Sequence, residues 1–349
     1  MPEEAGGIPE RKTKQFSPGG ISAERKDRMG VIVHIYKKNF LQRYDRDEAI
    51  PYHSGTDFPG LVCEDGSFRN AGDVTVRYFT YYYEGYDSSR TILFCPGMGP
   101  GHAAYLAEIE TLCRAGYRVL TLDYAGCGES GGDRMPSVNG PTKDAMALLD
   151  LLKPQEEIIP VGHSLGGYTA LNIAHLLPEV SRAVIISGFV SIADEMIGFV
   201  LFPFLANIIR RYEEKLDPRF GTLDNRAYLA ETRDRLLWIH STDDPMVNYS
   251  HNAGQVIALG NPNVRVITAE HKRHNPQYSA EALETMNEWI GGYNRLIREK
   301  QLTTAEEKKA YFADKPIGRM TAQDPAVYEE ILRLIGAERK LDHKEGRDK

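Results

Sequence analysis

The chain of 349 residues is 42% hydrophobic and 26% charged, an ordinary globular usage that excludes a disordered or fibrous protein. This length suits one α/β domain carrying insertions and terminal extensions. A net charge of −7 argues against a nucleic-acid binder, which carries a basic excess on one face.

Residues 1–30, rich in charge, glycine and proline, read as a flexible arm; they contain no apolar stretch of the signal-peptide kind, so a cytoplasmic location is expected. From Val74 the text turns strand-like, "VTVRYFTYYYEG", and "RTILFC" follows across a polar turn as a hairpin partner or neighbour. An alternation then sets in: a helix over "AAYLAEIETLCRAG", a strand "YRVLTLDY", a helix over "PTKDAMALLDLLK", a strand "EEIIPVG" and a helix from Leu165. Continuous apolar strands alternating with amphipathic helices predict an α/β fold with a mostly parallel sheet and helices on both faces.

"RAVIIS" resumes the pattern, which breaks at about residues 189–232 and returns with "RLLWIHS", a helix over "SHNAGQVIALG" and "VRVITAE". The break reads as an inserted helical lid. Within it Ile197, Val200, Leu201, Phe204, Leu205 and Ile208 recur at helical spacing, with a kink or a pair of short helices expected at Pro203; this apolar face either packs on the core or roofs an acyl pocket. The run is too short to span a membrane. A last core helix is expected from Ser279, and residues 301–349 form a helical extension in which Asp324 caps a helix opened by Pro325. The main domain is therefore placed at 31–300. Cys63, Cys95, Cys113 and Cys127 lack C-x-x-C spacing and read as free thiols.

In "PVGHSLGGYTALNIAH", residues 160–175, Ser164 stands between Gly162 and Gly166 where a strand gives way to a helix. A bare G-x-S-x-G is weak, but this position is the apex at which a tight turn would present a nucleophile. With the surrounding alternation, residues 70 to about 300 resemble the α/β-hydrolase superfamily, whose esterases and lipases often carry "GHSLGG". The resemblance implies a serine nucleophile followed along the chain by an acid and a histidine. It selects Asp244 in "LLWIHSTDDPMV", with Asp243 and Asp194 as alternatives. It selects His274 in "VRVITAEHKRHNPQYS", with His271 as the alternative. It also implies an oxyanion hole from the amides of Leu165 and Met98, the latter in "PGMGPGH", where Pro96 replaces the family's histidine.

"GCGESG" at 126–131 matches a dinucleotide fingerprint literally, but no helix opens after it, and "LDYAGCGES" instead matches a loop of the same superfamily. The resemblance thus implies a serine hydrolase cleaving carboxylic esters through an acyl-enzyme, with a small-molecule ester as its partner and no cofactor, metal, nucleic acid or transmembrane segment. Thioester hydrolysis, acyl transfer and C–C hydrolysis would use the same residues. A non-catalytic binding protein of the same fold is the alternative from another class.

Overall fold

The computed structural model describes residues 23–336 apart from 48, 49, 51, 193, 194, 196–202 and 222. Eight strands, β1 (Val62–Arg69), β2 (Thr75–Tyr82), β3 (Asp87–Cys95), β4 (Tyr117–Asp123), β5 (Glu157–His163), β6 (Arg182–Ile186), β7 (Arg235–Ser241) and β8 (Val264–Ala269), form one sheet. Their order is β1-β2-β4-β3-β5-β6-β7-β8. Only β2 runs antiparallel to its neighbours; the rest of the ladder is parallel. The expected pairing of "VTVRYFTYYYEG" with "RTILFC" is corrected here. β4 lies between β2 and β3, and the hairpin partner of β2 is β1, whose mostly exposed, polar face gave little strand signal.

Alternate residues of each central strand feed opposite faces. Leu93 and Cys95 point into one core with helices α3 (Gly140–Leu152) and α4 (Leu165–Leu176), while Ile92 and Phe94 point into another with helix α2 (Leu106–Arg114). The second core contains a surprise for the expected boundary at residue 300. Val327, Tyr328, Ile331, Leu332 and Ile335, all on the C-terminal helix Pro325–Ile335, are buried there against Ile159, Val184 and Leu237. The helix Ala280–Arg298, expected as the last core helix, buries only Ala282, Leu283 and Thr285. Residues 301–336 therefore do not stand apart from the core: Pro325–Ile335 covers the sheet and Ala280–Arg298 is the outer layer. Ile331→Ala should cost about 2–5 kcal/mol because the site cannot collapse onto a rigid sheet. Urea unfolding measures this, and a loss below about 0.5 kcal/mol would fit a peripheral helix instead.

At the N-terminus, residues 1–22 lie outside the described residues, but from Ala23 the segment read as an arm is helical, as α1 (Ala23–Phe40). It meets helix α5 (Pro203–Leu216) of the insertion; residues 196–202, on the other side of the break expected at Pro203, lie outside the described residues. Tyr36, Leu41, Ala206 and Ile209 share a third apolar cluster with Met135, Leu165, Tyr168, Phe189 and Val247, and Met98 packs against it. The cap is thus built from both the insertion and the N-terminal helix. Of the apolar face expected in the insertion, Ile197, Val200 and Leu201 lie outside the described residues, as do the side chains of Phe204 and Leu205; Ile208 is half-buried.

Glu213 of α5 is buried under this cap and accepts a hydrogen bond from Tyr36 Oη at 2.7 Å. Burial is the chief cause that pushes its carboxyl up to about 7. A raised folded pKa means that Glu213's contribution to stability is complete below the ordinary carboxyl value near 4.5 and is lost as pH rises through about 7. Glu213→Gln should therefore flatten that part of the stability profile. Melting temperatures of the two proteins from pH 5 to 8 test it, parallel curves being the contrary result.

Candidate active site

β5 ends at His163 and α4 begins at Leu165, leaving Ser164 alone at the turn with φ 57° and ψ −121°. A non-glycine residue with positive φ is strained and persists only where packing imposes it. The packing is explicit. A Cβ on Gly162 would lie 2.0 Å from the Gly166 carbonyl oxygen, and one on Gly166 would lie 1.8 Å from that of Cys95. Both glycines are thus needed for the strand, the helix and the neighbouring β3 to pass this closely.

The loop after β3 closes on the same point. A Cβ on Gly97 would lie 3.4 Å from Ser164 Cβ, and Tyr124 Oη holds the loop by donating to the Pro96 carbonyl at 3.1 Å. The amide of Leu165 is in the first turn of α4, where N–H groups have no acceptor within the helix. Met98 follows Gly97 in the loop.

Asp244 follows β7, with its side chain wholly buried. Its Oδ1 accepts from the amides of Met246 at 2.8 Å and Val247 at 3.0 Å, and its Oδ2 lies 2.8 Å from His274 Nδ1. Burial opposes its charge, yet hydrogen bonds from His240 and His274 hold the carboxyl well below the usual carboxylate range. Asp243 instead receives Ser241 Oγ at 2.6 Å and the Arg273 amide at 3.1 Å, anchoring the loop that bears His274. His271 is exposed, and Asp194 lies outside the described residues.

Two further histidines surround this pair. His163 Nε2 lies 2.8 Å from the His274 carbonyl, which can only accept, so Nε2 carries the proton. Its Nδ1 must then accept from Tyr105 Oη at 2.9 Å, and Tyr105 in turn receives the Gly97 amide. Burial foremost, then the neighbouring His274, pushes the His163 imidazole down to about 3. A neutral His163 therefore ties the loop of Gly97 to the backbone of His274, and their rings stand 4.8 Å apart. His240, buried on β7, places Nε2 at 3.0 Å from the Val247 carbonyl and 3.2 Å from Asp244 Oδ2, while its Nδ1 accepts from Trp238 Nε1 at 3.3 Å. Lys272 fixes the loop from the other side through the Tyr278 carbonyl and Asp324.

Sequence reasoning gave His163 a packing role only and did not single out Tyr105, His240 or Lys272. A histidine inside an apolar strand was the one signal for His240. Among the described residues, no group of three or more His, Cys, Asp or Glu could hold a metal ion, and no helix is long and apolar enough to cross a membrane.

The family model for serine aminopeptidase, S33 matches residues 87–233, a stretch that includes Met98, Ser164 and Leu165 and ends before Asp244 and His274. Lysophosphatidylserine lipase ABHD12 of Gallus gallus is 32% identical over 169 residues, 43% of this chain and 41% of that protein. The putative carbamate hydrolase RutD of Azorhizobium caulinodans is 33% identical over 110 residues, 31% of this chain and 41% of that one. The chain thus spans about two fifths of the length of the curated relatives it matches. An esterase of Pyrococcus furiosus shares the fold with a TM-score of 0.51 at 17% identity, covering 74% of this chain and 98% of that one.

Proposed function

We propose that the chain is a serine hydrolase of the α/β-hydrolase superfamily, cleaving carboxylic esters with apolar acyl chains through an acyl-enzyme on Ser164. Ser164 Oγ attacks the ester carbonyl as its proton passes to His274 Nε2, and Asp244 holds the imidazole with its Nδ1 proton inward. The amides of Met98 and Leu165 receive the oxyanion. Collapse expels the alcohol, which takes the proton back from His274. A water deprotonated by His274 then attacks the acyl-enzyme and releases the acid.

The observation that carries this reading is the buried Asp244 carboxylate on His274 Nδ1, in a loop clamped to His163 beside the strained Ser164. The ABHD12 relative, named as a lipase, supports the ester class, and the apolar side chains of Met98 and Leu165 at the proposed oxyanion position support an apolar acyl group. The test is labelling by a fluorophosphonate probe with peptide mapping, followed by a p-nitrophenyl ester chain-length series. Labelling at Ser164 with turnover that rises from acetate to medium chains is expected. A protein that neither labels nor turns over any ester would be a binding protein of this fold.

A further inference from the structure

The loop that carries His274 is held against its own backbone preference. His271 and Arg273, neither of them glycine, have φ of 58° and 50°, a left-handed conformation that persists only where contacts impose it. From the β7 side, Ser241 and Asp243 hold the amides of Lys272 and Arg273, and these backbone contacts stop short of His274. Two contacts from His274 onward lead to the first turn of α2 instead. The His274 carbonyl is reached by His163, which Tyr105 holds from the N-terminal edge of α2. Tyr278, four residues on, donates its Oη to Glu108 Oε1 at 2.5 Å.

Glu108 is a costly occupant of this place. Its side chain is buried, Gln277 flanks the carboxyl without an aligned hydrogen bond, and Oε2 has no hydrogen-bond partner among the described residues. Tyr105, Tyr278 and Tyr328 face it, and no cation is among the described groups that do. Burial accordingly pushes its carboxyl up to about 7. A leucine would fill the space without desolvating a polar group, but it offers Tyr278 Oη no acceptor. We infer that Glu108 is a positioning residue for His274: through Tyr278 it fixes the far end of the segment from His274 to Tyr278, while Tyr105, one turn earlier, fixes the near end through His163. The inference rests on the serine-hydrolase reading and concerns the placement of its base. A displacement of about 1 Å between base and nucleophile is enough to cost up to about 10²-fold in rate. A carboxyl in the first turn of a helix can also serve that helix alone, a role that Tyr278→Phe leaves untouched.

The experiment measures kcat and KM on a p-nitrophenyl ester, with melting curves, for Glu108→Gln, Glu108→Leu, Tyr278→Phe and the double variant Glu108→Leu, Tyr278→Phe. Glu108→Leu and Tyr278→Phe should each lower kcat about tenfold or more with KM within about twofold, because the base moves while the ester is bound as before. Glu108→Gln keeps an acceptor oxygen in the same place and should retain about a third or more of the wild-type kcat. The double variant should melt higher than either single one, since a buried group left without its partner destabilises more than the loss of both, yet its kcat should stay low. A kcat that recovers together with the melting temperature, a Tyr278→Phe protein within about twofold of the wild type, or a Glu108→Gln protein as impaired as Glu108→Leu would each overturn the inference. The ring protons of His274, followed by NMR, give a readout that needs no turnover: a shift in Glu108→Leu that Glu108→Gln does not show is expected, and unchanged positions in both overturn it. Failure of the hydrolase reading looks different, with a wild type that hydrolyses no ester and is not labelled at Ser164, and the NMR comparison still decides what Glu108 does to His274.

Discussion

Ser164→Ala and His274→Ala should each lower kcat for an activated ester by about 10⁴-fold or more, and the double variant should be little worse than either single one. The reason is that the two side chains act on one proton. Without the hydroxyl there is nothing to deprotonate, and without the imidazole a hydroxyl at neutral pH is a poor nucleophile. What remains after either change is the contribution of bound amides at Met98 and Leu165 and of substrate positioning, which neither substitution touches. Steady-state rates on a p-nitrophenyl ester, with active-site titration to exclude contaminating wild type, measure the effect. Additive losses, or a fully active His274→Ala beside a dead His271→Ala, would mean that another base serves Ser164. The second result would conflict with the exposure of His271.

The turn at Ser164 was legible in the sequence because its cause is local. Gly162 and Gly166 are required by contacts within a few residues and by one neighbouring strand, and both are visible as a motif at a strand-to-helix junction. The pairing of Asp244 with His274 was legible only through resemblance, since no local pattern tells Asp244 from Asp243. The structure separates them by burial and by which donors reach each carboxylate.

What stayed hidden depends on long-range packing. β4 inserts between β2 and β3 because β3 is a central parallel strand, and no turn signal reports that. The helix Pro325–Ile335 and α1 lie at the ends of the chain, where amphipathic text reads as an extension or an arm. Their partners are the sheet in one case and α5 in the other, and hydrophobic spacing shows that a helix has a face without showing what covers it. His240 was passed over for the same reason: a histidine in an apolar strand shows its partners only when the chain folds.

Asp244→Asn should lower kcat by about 10³- to 10⁴-fold while leaving KM and probe-site packing little changed, and the cause lies in donor and acceptor accounting. The carboxylate faces donors on every side: the amides of Met246 and Val247 on Oδ1, His240 Nε2 on Oδ2, and His274 Nδ1 across both oxygens, at 2.8 Å from Oδ2 and 3.0 Å from Oδ1. An asparagine has one oxygen and one NH₂ group, so one orientation turns N–H groups against the two backbone amides and the other turns them against the two histidines. The backbone cannot rotate away, and Trp238 already occupies His240 Nδ1, so His274 is the partner that can yield. Its ring can accept from the asparagine only with the proton moved to Nε2, the atom that must be free to take the proton of Ser164. His240→Ala is expected to act in the same direction but more weakly, because it removes one of two donors to Oδ2 and leaves the tautomer of His274 intact. Rates for Asp244→Asn, Asp244→Glu and His240→Ala on one ester, with the imidazole ring protons followed by NMR, separate these effects. An Asp244→Asn protein that retains a tenth or more of the wild-type rate would show that the orientation of His274 is set by the loop held through Lys272 and His163, and not by the acid.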